Sequence, residues 1–402
     1  MESLRIALLS SHHPAERSMG LSHIVSWVAH YLARWGNEVT VYYPATGKGR
    51  PPSPSLWEGV RAVGTPADRF PWLPFGAELE FSRRVSRALP PGLHVVMAHN
   101  ELGGRFAMRR RGAGAPGAGQ PLRVAAFHGL SLRFLEMGRA RRPPGLRSRL
   151  GFQADRATLR WFEGGGARLA DLCVACSHGV AADLVRAYGV APRRLRVVLN
   201  GVDRAPAVLP PEREEARRSF GVPPGTFVLS LLARDPWRKG LDIARKTVHH
   251  LREQGVPALL LNAGNEEPPS DGVLGLGVVP EERKRALLAA ADVFYLPTRY
   301  EGFPAVVQEA AALGLPVVTT PEANLEGGVP GVDYLIVNEE DPIGHAAALR
   351  GLYEDPARRD VLALRGRAVL GARTFEAQAR QYLELFRTGL DHAGKAPLDR
   401  SA

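Results

Sequence analysis

A chain of 402 residues is too long for one ordinary hydrophobic core, and 45% hydrophobic with 23% charged residues describes a globular protein of two domains rather than a disordered one. No run approaches the roughly 18 continuous apolar residues of a membrane-spanning helix, and the start MESLRIALLSSHH is too short in apolar length for a signal peptide, which predicts a cytoplasmic protein. The formal net charge of +11 comes almost wholly from arginine, because the chain has only five lysines, Lys48, Lys239, Lys246, Lys284 and Lys395.

Taken in order, the first elements alternate between buried strands and helices. RIALLSS (5–11) leads to a helix from Gly20 to Arg34 and then to EVTVYYP (38–44), with further strands at HVVMAHN (94–100), RVAAFHG (123–129), DLCVACS (171–177) and LRVVLN (195–200). The run NGVDRAPAVLPPEREEARRSFGVPPG, rich in proline and charge, marks the break between domains. A second set follows, with strands at FVLSLLA (227–233), ALLLNAG (258–264), VLGLGVV (273–279), DVFYLP (292–297), PVVTT (316–320) and YLIV (334–337), and a terminal helix at FEAQARQYLELF (375–386). Two such sets predict an α/β protein of two doubly wound parallel sheets, residues 1–205 and 206–374.

Cys173 and Cys176 form a C-x-x-C, but it lies within DLCVACS, where strand alternation sends the side chains to opposite faces and no second pair completes a metal site. Structural burial is the reading these residues favour. Between Arg133 and Arg160 eight arginines alternate with Phe134, Leu135, Met137, Leu146, Leu150 and Phe152. That mixture fits a segment attracted to an anionic membrane surface, a clamp for a phosphorylated acceptor, or an arginine-rich solvated face.

In LLARDPWRKGLDIA (231–244) a strand ends and a basic loop opens a helix. Arg234 and Lys239 stand five residues apart before Gly240, a planar fork and a point charge suited to two phosphates, while Arg238 is a spare cation. In RYEGFPAVVQEAAALGLPVVTT a strand again passes into a helix. Gly302 and Pro304 break the strand, AVVQEAAAL is helical and closed by Gly314, so Glu301 lies on the loop and Glu309 just over one turn inside the helix. Free amides at a helix start and two carboxylates beside it suit phosphate and sugar hydroxyls.

These motifs resemble those of the retaining glycosyltransferases of the large nucleotide-sugar family that includes lipopolysaccharide, phosphatidylinositol mannoside and aminoglycoside transferases. The hallmark Glu, seven residues, Glu, then G-x-PVV reads here E-GFPAVVQ-E-AAALGLPVV. The resemblance implies the GT-B fold, two Rossmann-like domains facing each other across a cleft, with the terminal helix of 375–388 packing back on the first. It places Glu301 by the donor sugar, the amides of the Gly302-Phe303-Pro304 turn on sugar hydroxyls, Glu309 on the ribose, and Arg234 and Lys239 on the diphosphate. MGLSHIVSWVAHYLARWGNEVTVYY is similar to the family's Gly-Gly helix, with Gly20 in the second glycine position and Met19 replacing the first, so Gly20 is expected near the diphosphate. His128, at a strand's carboxyl end, matches the family histidine near the reacting carbon, and His99 and Asn100 occupy a similar edge suited to the acceptor.

The implied reaction moves a hexosyl group from a UDP- or GDP-sugar to an acceptor hydroxyl, a cell-envelope glycolipid or an antibiotic-type small molecule. The acceptor attacks from the face that the diphosphate leaves, so no enzyme nucleophile is needed. No Asp-x-Asp occurs, which leads to an expectation of activity without a metal or any other cofactor. A nucleotide-sugar epimerase or a phosphorylase of the same architecture is the alternative enzyme, and a non-catalytic basic binding protein on the same scaffold the alternative class. The absence of an aromatic-rich basic platform argues against nucleic acid as partner.

Overall fold

The structure, a computed structural model, describes residues 2–10, 13, 20–45, 59–67, 76–99, 105–109, 119–141, 145–202, 206–266, 270–338 and 340–393. The chain forms two compact units, residues 1–200 with 375–402, and residues 201–374. The break falls between Asn200 and Gly201, inside the VVLNGVD run. Val202 makes a parallel bridge to Thr374, and the Val202 amide donates to the Arg373 carbonyl at 2.8 Å, so the two ends of the second unit are tied together.

The first unit contains β1 (Arg5–Leu9), α1 (Gly20–Arg34), β2 (Glu38–Ala45), β3 (Val60–Pro66), α2 (Gly76–Ala88), β4 (Val95–His99), β5 (Leu122–Phe127), α3 (Ser131–Met137), α4 (Leu146–Leu169), β6 (Leu172–Ala175), α5 (His178–Tyr188) and β7 (Leu195–Val197). Its strands run parallel in the order β3-β2-β1-β4-β5-β6-β7. Continuous apolar runs such as VVMAH and LRVAAF are buried along their whole length, as strands covered on both faces require. Ile6, Leu8, Met97, Val124 and Ala126 pack under Val25, Val28 and Leu32 of α1 and under Phe375, Tyr382 and Phe386 of the C-terminal helix. β3 was not legible in the sequence, because an edge strand with most of its residues partly or fully exposed carries no apolar period.

The second unit contains α6 (Pro210–Ser219), β8 (Phe227–Leu232), α7 (Leu241–Glu253), β9 (Ala258–Ala263), β10 (Val273–Gly275), α8 (Glu281–Ala290), β11 (Val293–Leu296), α9 (Ala305–Ala312), β12 (Val317–Thr319), β13 (Leu335–Ile336), α10 (Pro342–Glu354) and α11 (Pro356–Val369). α12 (Phe375–Ala393) then returns to the first unit, where Trp27 of α1 stacks on Phe375 with ring centroids 5.9 Å apart. The second sheet is also parallel, in the order β10-β9-β8-β11-β12-β13. Its direction of growth reverses between β8 and β11, which leaves a crevice at their carboxyl ends, the place where open α/β sheets bind ligands. The corresponding reversal in the first unit lies between β1 and β4.

Candidate active site

The crevice beyond β8 and β11 is built from two loops that the sequence folds tightly. After β8 the Lys239 amide donates to the Asp235 carbonyl at 2.9 Å, and the Leu241 amide to the Pro236 carbonyl at 2.8 Å. The turn needs a left-handed residue at its end, and Gly240 supplies it with φ 72°. A Cβ on Gly240 would lie 1.8 Å from the Pro297 carbonyl oxygen, so only glycine lets this loop close against the exit of β11. That exit is stapled to the same loop, because the Thr298 hydroxyl and the Arg299 amide both donate to the Arg238 carbonyl, at 2.9 and 2.8 Å.

Glu301 follows, and the loop after β12 grips its backbone from both sides. The Glu301 amide donates to the Glu322 carbonyl at 2.9 Å, and Asn324 Nδ2 donates to the Glu301 carbonyl at 2.6 Å. Asn324 is the one non-glycine residue with positive φ among the described residues, at 51°, a conformation that asparagine tolerates. Three strand exits thus converge on one carboxylate.

Lys239 Nζ stands 2.5 Å and Arg238 Nη1 2.7 Å from the same oxygen, Glu301 Oε1. Lys239 and Glu301 are each 8% exposed. Burial by itself raises the Glu301 carboxyl, but the Lys239 ammonium and the Arg238 guanidinium outweigh it and hold the group below the ordinary glutamate value. Burial pulls the Lys239 ammonium down from its usual value against the opposing pull of Glu301. Arg238 is therefore not the spare cation of the sequence reading. Its neighbours in sequence gave no sign of this, because the pairing depends on a loop 63 residues away.

Arg299 braces this arrangement. It donates to the Trp237 carbonyl at 2.6 Å, makes two 2.8 Å bonds to the Asp242 carboxylate at the start of α7, and lies 4.9 Å over the Trp237 ring. Arg234 sits exposed at the exit of β8. Gly264, at the end of β9, approaches it so closely that a Cβ would come within 2.8 Å of the Arg234 amide nitrogen. Gly302, Phe303 and Pro304 are buried, with the Arg373 guanidinium 5.8 Å over the Phe303 ring, and no side chain caps α9 at Pro304. Glu309 lies one turn inside α9 and pairs with Lys284 of α8 at 2.9 Å, both side chains about four-fifths buried. Lys284 was not singled out in the sequence.

In the first unit His99 ends β4 and His128 follows β5, so neighbouring strands bring them together. His99 Nδ1 and His128 Nε2 are 3.0 Å apart, and His128 Nδ1 is 3.0 Å from Asn200 Oδ1. Burial pushes His99 well below the usual histidine value and His128 down to about 4, so both rings are neutral near pH 7. Gly20 opens α1, while Asn100 lies outside the described residues. Cys173 and Cys176 are free and buried, and burial raises the Cys173 thiol to about 12.

Residues 20–205 match the family described as Glycosyltransferase Family 4, and residues 226–355 match Glycosyl transferases group 1. The chain belongs to the GT-B glycosyltransferases. This glycosyltransferase is 29% identical to a D-inositol 3-phosphate glycosyltransferase of Catenulispora acidiphila, over 89% of this chain and 87% of the relative. A relative of the same name from Xylanimonas cellulosilytica is 27% identical, over 95% of this chain and 96% of its own. In fold, this glycosyltransferase is similar to sucrose-phosphate synthase from Thermosynechococcus elongatus, with TM-score 0.75 and 23% identity over 97% of this chain and all of that one. It is similar also to HepE from Anabaena, solved with UDP and glucose, with TM-score 0.68 and 16% identity over 96% and 100% of the two chains. This glycosyltransferase has no helix among its described residues long and apolar enough to cross a membrane.

Proposed function

We propose that this glycosyltransferase moves a hexosyl group from a nucleotide-diphosphate sugar to an acceptor hydroxyl with retention at the anomeric carbon, and that it needs no metal. The observation that carries the reading is the buried Glu301 held by Lys239 and Arg238 at the reversal between β8 and β11. An ammonium has three donors and a guanidinium five, so cations that hold Glu301 retain donors for a diphosphate. The amides at the open start of α9 and the Glu301 carboxylate then face sugar hydroxyls, and Glu309, beside Lys284, takes the ribose. Arg234 adds charge at the exit of β8.

In this reaction the acceptor oxygen bonds to the anomeric carbon as the bond from that carbon to the phosphate oxygen breaks. The acceptor proton passes to the departing phosphate, and the cations stabilise the negative charge that grows there. HepE was solved with UDP-glucose as well as with UDP, which favours a UDP-sugar as the first donor to try. The name of the full-length relatives favours a phosphorylated polyol as the first acceptor, ahead of a glycolipid or an antibiotic-type molecule.

The test is a screen of UDP-glucose, UDP-N-acetylglucosamine and GDP-mannose, each with inositol 3-phosphate, in the presence of a chelator, with the product's anomeric configuration read by NMR. A retained configuration with undiminished turnover is expected. An inverted product, an epimerised donor, or turnover that needs an added divalent metal would each overturn the corresponding part.

The arginine-rich segment supports a second, separate reading, attachment to the inner face of an anionic membrane. On α4 Leu150 is 61% and Trp161 45% exposed, with Arg149 and Arg160 also exposed beside them. Apolar tips among cations are what an anionic interface attracts. Sedimentation with vesicles containing phosphatidylglycerol should carry the protein down, and the Arg149→Glu, Arg160→Glu double variant should stay in solution. Equal sedimentation of the two proteins would end this reading.

A further inference from the structure

A line of buried polar side chains crosses the first unit from α12 to the carboxyl edge of its sheet. Tyr382 bonds the side chain of Gln378. Gln378 Nε2 donates to Asn200 Oδ1 at 3.3 Å, the same oxygen that lies 3.0 Å from His128 Nδ1. His128 Nε2 in turn lies 3.0 Å from His99 Nδ1. Asn200, Gln378 and Tyr382 are 2%, 2% and 1% exposed, and His99 is fully buried. Asn200 is the last residue of the first unit before the chain leaves it, and Gln378 lies in the first turn of the helix that returns.

Donor and acceptor chemistry assigns the protons along this line. An amide oxygen only accepts, so with Asn200 Oδ1 facing both Gln378 Nε2 and His128 Nδ1, it is His128 Nδ1 that carries the hydrogen. In a neutral ring the other nitrogen is then a lone pair, so His128 Nε2 accepts from His99 Nδ1. The far nitrogen, His99 Nε2, has no partner among the described residues, so it does not anchor the His99 ring on its other side.

We propose that Asn200, held by Gln378, is the positioning residue that fixes His128 in the tautomer whose Nε2 accepts, so that a substrate hydroxyl reaching His128 enters as a donor in place of His99. This rests on the reading of His128 as a residue that meets the donor sugar. A neutral acceptor suits that position, because positive charge develops on the sugar ring as the diphosphate leaves, and an imidazolium there would oppose it. The effects that shift the two rings are burial, their mutual interaction and the Asn200 bond, with no carboxylate among them. The other titratable groups on the line are Tyr382 of α12, whose hydroxyl burial raises, and Cys176 beyond β6, which acts on Tyr382.

The experiment compares the whole protein with its Asn200→Asp, Asn200→Ala and Gln378→Leu variants. Nitrogen-15 NMR of labelled histidine should show His128 of the wild type as the Nδ1–H tautomer from about pH 6 to pH 8. Asn200→Asp keeps the acceptor but adds a carboxylate, so the His128 pKa rises into this range, and kcat, flat in the wild type, should fall about tenfold from pH 8 to pH 6. Asn200→Ala should mix the tautomers and lower kcat more than it raises the donor KM, with Gln378→Leu intermediate. A purely structural role would lower the folded fraction and leave the pH profile unmoved. A wild-type Nε2–H tautomer overturns the proposal. A tautomer that follows Asn200 together with an unmoved Asn200→Asp profile overturns instead the reading of His128 as a substrate contact.

Discussion

Lys239 Nζ stands 2.5 Å from Glu301 Oε1, and the two residues are each only 8% exposed. A pair so far from water has already given up its hydration, so what holds it is the match between partners rather than the bond alone. Arg238 on the same oxygen adds a second cation. The three groups are fixed by the loops after β8, β11 and β12, and a ligand entering there meets charge already oriented.

Removing one member should therefore cost stability as well as turnover. Lys239→Ala leaves Glu301 with Arg238 alone, and the expected loss is about 3 kcal/mol in urea unfolding of the second unit. The Lys239→Met, Glu301→Gln double variant, which removes both buried charges and leaves Arg238 with Asp235 at 3.6 Å, should regain most of that stability while remaining inactive. Recovery of turnover in the double variant would remove both residues from the chemistry.

Arg299 ties Trp237 to Asp242 and so sets the shape of the cationic loop. Lysine cannot reproduce its two-pronged grip on the carboxylate. Arg299→Lys should raise the donor KM about tenfold, equivalent to about 1.4 kcal/mol. Steady-state kinetics with donor varied will show this, and an unchanged KM would mean the loop keeps its shape without the brace.

Gly240→Ala asks the chain to place a Cβ 1.8 Å from the Pro297 carbonyl oxygen, at φ 72°. Gly277 has a similar φ of 65° but open space around it. Gly277→Ala should cost about 1 kcal/mol of backbone strain, and Gly240→Ala at least about 2 kcal/mol more. Thermal melts of the two variants side by side measure the difference, and equal shifts would show that the β11 exit yields freely.

His345 of α10 is fully buried, and burial lowers it from 6.5 to about 4, partly countered by the Asn338 backbone and Asp341. Between these values the unfolded chain binds a proton that the folded one does not. Stability is then complete above pH 6.5 and declines as pH falls toward 4, by about 1.4 kcal/mol per pH unit. His128, also lowered to about 4, adds the same slope to the first unit. Urea unfolding followed through Trp237, the one tryptophan of residues 201–374, should show the slope in the wild type and its loss in His345→Leu. An identical acid dependence in the variant would contradict this assignment.

The sequence by itself determined most of the elements, since short, nearly apolar runs such as FVLSLL and VVMAH bounded by turn residues fit strands covered on both faces, and their alternation with helices fits parallel sheets. It also placed Lys239 before α7 and Glu301 before α9, because strand endings, glycines and helix starts are written locally. Tertiary structure decided which partners meet. Arg238 reaches Glu301 across 63 residues and Gln378 reaches Asn200 across 178, separations at which no periodicity survives. Those meetings follow from the strand order, which sets β8 beside β11 and returns α12 to the first sheet, and strand order is an outcome of packing the whole chain.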